Sequence, residues 1–120
     1  MLNINLDKIT DLDFKTKEAY KTLRTNVQFC GNDVKIISLT SCVPNEGKSM
    51  VSFNLAISMA ETGKKVLFID ADLRKSVLIG RYKINKAIKG LTQYLSGVEQ
   101  LDDVRYSTNV KNMDLILSGP

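Results

Sequence analysis

Residues 1–13 alternate apolar and polar positions (MLNINLDKITDLD) and read as an extended, partly mobile arm. From Phe14 to about residue 29 the period lengthens. Tyr20, Leu23, Val27 and Cys30 fall on one stripe, and Lys17, Lys21, Arg24 and Gln28 on another, which predicts a helix. Gly31-Asn32-Asp33 breaks it. Residues 34–40 (VKIISLT) are few and rich in β-branched side chains, which predicts a buried strand. A loop follows over 41–47 (SCVPNEG). A second helix then runs from Lys48 to about Thr62, with Val51, Leu55, Ala56 and Met59 at helical spacing and Gly63 as its stop. Residues 65–70 (KVLFID) form a second apolar strand that finishes in charge. Residues 90–95 (GLTQYL) read as a short helix closed by Gly97, and 113–118 (MDLILS) as a third strand.

Strand, loop, helix, strand is a βαβ unit, so the expected fold class is α/β, a parallel sheet flanked by helices. Ligands of such folds bind beyond the carboxyl ends of the strands. The loops after Thr40 and Ile69 both lie there. A length of 120 residues suits one domain, and 43% hydrophobic with 25% charged residues suits a soluble one. The excess of 17 basic over 13 acidic residues is mild and spread along the chain. No basic run marks a nucleic-acid footprint, so no nucleic acid is expected as a partner. The chain has no histidine, which excludes His-based acid–base chemistry and the commonest metal ligand. Cys30 and Cys42 have neither disulfide-motif nor metal-site spacing. The N-terminus lacks the apolar core of a signal peptide, and no run approaches the roughly 20 apolar residues of a membrane span. The expected location is the cytoplasm.

The chemistry concentrates at Cys42-Val43-Pro44-Asn45-Glu46-Gly47-Lys48-Ser49. Its last three residues match the phosphate-loop pattern GxxxxGK[ST], with Cys42 in place of the first glycine. Successive backbone N–H groups of such a loop wrap anionic oxygens, and Gly47 allows the close approach that a side chain would block. The helix starting at Lys48 turns its unpaired N–H groups and partial positive charge toward the phosphates. Candidate ATP-binding residues are therefore Val43, Pro44, Asn45, Glu46, Gly47, Lys48, Ser49 and Met50. Lys48 is expected to reach the terminal phosphates and the Ser49 hydroxyl to ligate Mg²⁺. A chance GKS at an ordinary helix start is the plain alternative, and the preceding strand argues against it.

Asp70-Ala71-Asp72-Leu73-Arg74-Lys75 follows the second strand at the same sheet edge. Asp70 and Asp72 are candidates to hold a hydrated Mg²⁺ or to accept a proton, since Mg²⁺ keeps several waters and needs only one or two carboxylates. A polar turn at a strand end is the alternative. Arg74 and Lys75 face phosphate, a partner acid or solvent, and the residues alone leave all three open.

Together these segments resemble the bacterial tyrosine kinases of capsule and exopolysaccharide synthesis. SCVPNEGKS is followed by Phe53-Asn54-Leu55-Ala56; VLFIDADLRK resembles the family's second acidic motif, Walker A′; Gly90-Leu91 with Tyr94-Leu95-Ser96-Gly97 resembles its GL..YL.G segment; and LILSGP resembles the strand before its proline-rich loop. The resemblance implies ATP and Mg²⁺ as cofactors, autophosphorylation on tyrosine, catalytic roles for Lys48, Asp70 and Asp72, and control of polysaccharide chain length and export. It also implies a transmembrane activator, or polysaccharide co-polymerase, as partner and as the link to the membrane. The family's ring-forming ExxRxxR motif is matched at Glu18, Lys21 and Arg24, candidate contacts of a homo-oligomer ring. Lys21 there keeps the charge but lacks the planar, bidentate fork of arginine. Residues 14–120 correspond to the N-terminal part of the kinase domain. Walker B and the C-terminal tyrosine cluster are expected beyond Pro120. Tyr20, Tyr82, Tyr94 and Tyr106 do not resemble that cluster, and Tyr20 and Tyr94 fit packing positions.

Two further readings compete. Positioning ATPases of the partitioning and septum-site type share the fold but carry a signature lysine where Val43 stands. A non-catalytic nucleotide-binding or activator-docking module would bind ATP without turnover.

Overall fold

The computed structural model describes residues 3–4, 6, 13–31, 35–38, 48–71 and 89–119. Its elements are β1 (Asn3–Ile4), α1 (Phe14–Gln28), α2 (Lys48–Ala60), β2 (Val66–Ile69), α3 (Leu91–Leu95), α4 (Leu101–Val104), β3 (Arg105–Thr108) and β4 (Met113–Ile116). Among the described residues the strands form one sheet in the order β1-β3-β4-β2.

The start of α1 is set by Asp13, whose carboxylate accepts from the Thr16 N–H at 2.7 Å, satisfying one of the free amides of the first turn. Past its end, Gly31 takes φ +128, a value that side chains rarely adopt. Its inward line differs from the expected stripe. Tyr20 and Val27 are half-buried as foreseen, but Leu23 and Cys30 are exposed and Arg24 is half-buried instead. The cause is polar: the Arg24 guanidinium donates to the Ser58 carbonyl of α2 at 2.8 Å and to its hydroxyl at 3.3 Å. This turns α1 about its axis.

In α2 the small and apolar side chains Phe53, Leu55, Ala56 and Ala60 are buried, while Val51 stays partly in solvent. The helix stops where the Gly63 N–H reaches the Ala60 carbonyl at 3.0 Å, with Gly63 at φ +90. The chain reverses, and the Val66 N–H donates to Asn112 O at 2.7 Å, opening β2.

β2 runs parallel to β4 with Val66 opposite Met113 and Ile69 opposite Ile116; β1 runs parallel to β3. β3 and β4 are antiparallel, so the sheet is not parallel throughout. Residues 109–112 join these two strands, and parallel neighbours would need a crossover of a dozen or more residues. Asn112 takes φ 67 at that turn, and the Thr108 hydroxyl fastens it by donating to Met113 O at 2.8 Å. The stretch 98–112 carried no element in the expectation. It is helix α4 and an inner strand, too short and too polar (RYST) for periodicity to reveal.

The core lies between the sheet and α2. Phe53 meets Phe68 edge to face at 5.4 Å between ring centres, and Tyr106, Met113, Leu115 and Leu117 complete the layer. Ile4 and Leu6 of the N-terminal arm are also buried in it, and the Leu6 N–H donates to Asn109 Oδ1 at 2.8 Å. On the opposite sheet face Leu67 and Ile69 remain exposed. The strand expected at 34–40 is corrected over its described part, while Val34, Leu39 and Thr40 lie outside the described residues. Residues 35–38 are in no strand and are exposed, Ile36 at 91%. β-Branched residues favour a pleated surface only where a neighbouring strand receives them, and none of the described strands pairs with this segment.

Candidate functional site

Lys48 is the first residue of α2, and Ser49 and Met50 follow in its first turn. Their side chains lie outside the described residues, and the direction of α2 decides where this end of the helix lies. The Ala60 end lies at the start of β2, where Asn112 Nδ2 donates to Ala60 O at 3.5 Å, and Phe53 packs on Phe68 further along. The helix therefore runs back against the strand. Lys48 precedes Phe53 by five residues, about 7–8 Å at the helical rise, and Asp70 follows Phe68 by two, about 6–7 Å at the strand rise. The helix N-terminus and Asp70 thus come level at one sheet edge, beyond the carboxyl ends of β2 and β4.

That end of α2 has no acidic residue in its first turn, so the positive end of its dipole is not neutralised from within. Asp70 is buried, 8% exposed, and its N–H donates to Ile116 O at 2.9 Å. The hydrogen bond carries the β2–β4 ladder one residue further and fixes the backbone from which the carboxylate projects. Among the described residues no group of three or more potential metal ligands occurs. A Mg²⁺ held mainly by phosphate and water does not require one, and a single buried carboxylate at this edge fits it. Val43, Pro44, Asn45, Glu46, Gly47 and Asp72 lie outside the described residues, as do Arg74, Lys75, Cys42 and Tyr82.

α3 borders the same edge through its backbone. The Leu91 N–H donates to Leu117 O at 2.7 Å and the Thr92 N–H to Ser118 O at 3.1 Å. A Cβ on Gly90 would lie 2.5 Å from Leu117 O, so only glycine permits this approach. Gln93 Oε1 accepts from the Gly90 N–H at 2.7 Å and closes the turn. Because α3 docks by its backbone, Tyr94 is left 41% exposed, which corrects the packing role expected of it. Tyr20 is half-buried. Tyr106 is buried, and its hydroxyl donates to Lys89 O at 2.7 Å.

Of the expected ring contacts, Glu18 and Lys21 form an exposed pair at 3.3 Å. Arg24 instead turns inward onto Ser58, with Glu61 at 3.9 Å.

A parallel β2–β4 pair with α2 packed against it, its N-terminal end level with a buried strand-end acid, is an arrangement found in nucleotide-binding α/β folds. Residues 34–119 match a family model described as an AAA domain, and the chain belongs to that family. The chain is 48% identical over 105 residues to the tyrosine-protein kinase CpsD of Streptococcus agalactiae, covering 88% of this chain and 46% of that one. It is 37% identical over 118 residues to the tyrosine-protein kinase YwqD of Bacillus subtilis (strain 168), covering 97% and 49%. The kinase domain of the Escherichia coli tyrosine kinase ETK superposes with a TM-score of 0.83 at 31% identity, over 99% of this chain and 47% of that chain. The chain spans about half the length of the curated relatives it matches. Its sequence and fold are shared with bacterial tyrosine kinases, and the expected fold class holds.

Proposed function

We propose that this chain is the nucleotide-binding part of an ATP-dependent, autophosphorylating protein-tyrosine kinase that regulates capsule or exopolysaccharide synthesis and export. One observation supports this above the rest. The start of α2, at Lys48-Ser49, stands level with the buried Asp70 in a chain 48% identical to a tyrosine-protein kinase.

On this reading the loop at 43–47 and the first amides of α2 wrap the phosphates, and Lys48 neutralises the charge that builds on the transferred group. Ser49, Asp70 and Asp72 would hold the Mg²⁺ shell, which supplies charge neutralisation between phosphate oxygens when bound. Asp70 or Asp72 accepts the proton of the tyrosine hydroxyl. Most of the acceleration in phosphoryl transfer comes from such positioning. Residues 14–120 form the first part of the kinase domain. The partner is a transmembrane activator or polysaccharide co-polymerase, which places the protein in the cytoplasm at the membrane. No helix among the described residues is long and apolar enough to cross a bilayer itself. Glu18 and Lys21 remain available for a ring contact.

The test is incubation with γ-labelled ATP and Mg²⁺, with the activator and a tyrosine-bearing substrate fragment present. Phosphotyrosine is expected from the native chain and none from Lys48→Met. Nucleotide binding without phosphotyrosine under all these conditions assigns a binding module instead. Absence of nucleotide binding by folded protein rejects the site.

A further inference from the structure

The pleat of β2, β4 and β3 sorts a set of polar side chains onto the sheet face turned away from α2. Leu67 stands opposite Asp114, Asp114 opposite Ser107, and Arg105 lies two residues before Ser107 on the same face. An open trough of about 360 Å³ runs there, lined by Lys65, Val66, Leu67, Arg105, Asn112 and Asp114. Lys65 and Asn112 immediately precede β2 and β4, so the trough opens toward the end of the sheet opposite Asp70.

Its polar groups lack partners. Arg105 Nε is buried and has no hydrogen-bond partner. Asp114 Oδ2 lies 4.0 Å from it, about 1 Å beyond a hydrogen bond. Among the described residues the Asp114 carboxylate accepts no hydrogen bond and Lys65, which is exposed, pairs with no acid. Asp102 does not complete Arg105. It lies 3.5 Å from Nη2 with 84% of its side chain in solvent, so that pair is screened and leaves Nε untouched.

A donor and an acceptor that face each other across 4.0 Å select the group between them. A hydroxyl accepts from the first and donates to the second. A carboxylate or phosphate there would meet Asp114 acceptor to acceptor, and an ammonium would meet Arg105 donor to donor. Water also bridges such a gap, but the trough is far larger than one water needs and reaches the lower range of small-molecule sites. Leu67, 44% exposed, gives it an apolar floor. Lys65 adds a cation at one end.

We propose that this trough binds an acidic monosaccharide of the uronic acid class. One hydroxyl bridges Arg105 Nε and Asp114, the carboxylate meets Lys65, and the C–H face of the ring lies on Leu67. The trough is separate from the phosphate-binding end of α2, so its test does not depend on nucleotide or kinase activity.

The probe is sodium glucuronate, titrated into ¹⁵N-labelled protein at constant ionic strength, with glucose and sodium acetate as comparisons. Glucuronate should shift the amides of residues 65–67, 105 and 112–114 with a Kd of about 1 mM, which a ligand of its size reaches at ordinary efficiency. Glucose should move the same amides at higher concentration, and acetate should leave them in place. Asp114→Ala should weaken both sugars about tenfold. Lys65→Gln, at an exposed position, should weaken glucuronate and leave glucose unchanged. Amide spectra unchanged elsewhere show that a variant folds, and the exposed Lys65→Gln keeps the test decisive if Asp114→Ala does not. Acetate binding as well as glucuronate would make the trough a plain anion site and overturn the proposal. Glucose binding as tightly as glucuronate would overturn its acidic class. Shifts centred outside these residues, no shift at about tenfold the expected Kd, or native affinity in both variants would overturn it as well.

Discussion

At Gly90 the requirement is spatial. Its backbone lies against Leu117–Gly119, and a methyl group there would press on backbone atoms that have no rotamer to change. Gly90→Ala should cost about 1–3 kcal/mol, the usual range for overpacking, read as a lower midpoint in urea with an unchanged slope. Tyr106 presents a different case. Burial pushes its phenol above the ordinary 10.0, with the nearby Lys89 ammonium opposing. The Lys89 amine is held above its ordinary 10.5 chiefly by its hydrogen bond to Glu99. Both groups keep their proton more firmly in the folded chain than in the unfolded one. The stability they contribute is therefore whole below about pH 10 and is lost as pH rises through their folded values. Alkaline titration monitored by circular dichroism should show this loss, with a shallower slope in Tyr106→Phe. At neutral pH that variant should lose about 1 kcal/mol through the missing bond to Lys89 O.

Between elements, Arg24 ties α1 to α2 by a side-chain hydrogen bond. A cation at the C-terminal turn of α2 meets the negative end of that helix, and its hydrogen bond to Ser58 O adds to the attraction. Arg24→Ala removes a charge-assisted bond and should destabilise the chain by about 1.5–3 kcal/mol. Arg24→Lys should recover part of the loss, because lysine keeps the charge without the fork. Thermal melts of the monomer decide the matter. An unchanged melting temperature in Arg24→Ala would return this residue to the role of an outward contact. Amphipathic spacing found α1 but misjudged its inward side, because the periodicity of apolar residues takes no account of an arginine drawn in by a carbonyl.

Over the whole molecule, the reversal between α2 and β2 sets the helix start beside Asp70, and the consequence is testable without turnover. Native protein should gain melting temperature with ATP and Mg²⁺, since a ligand bound only by the folded state stabilises it by mass action. Lys48→Met should abolish most of that gain. Asp70→Asn should lose the part that depends on Mg²⁺ while retaining a smaller response to nucleotide alone. A gain of equal size in all three proteins would remove both residues from the site.

What the residue order determined unaided were the long or strongly marked pieces. The α2 helix with its Gly63 stop, the apolar strand before Asp70 and the last strand could all be read from it. Each rests on local stereochemistry or on a period that recurs within a few residues. Tertiary structure alone decided the antiparallel join of β3 and β4, the burial of Ile4 and Leu6, the inward turn of Arg24 and the exposure of Ile36 and Tyr94. These depend on which distant segment supplies the other half of a hydrogen bond or a packed surface, and a one-dimensional pattern carries no record of that neighbour.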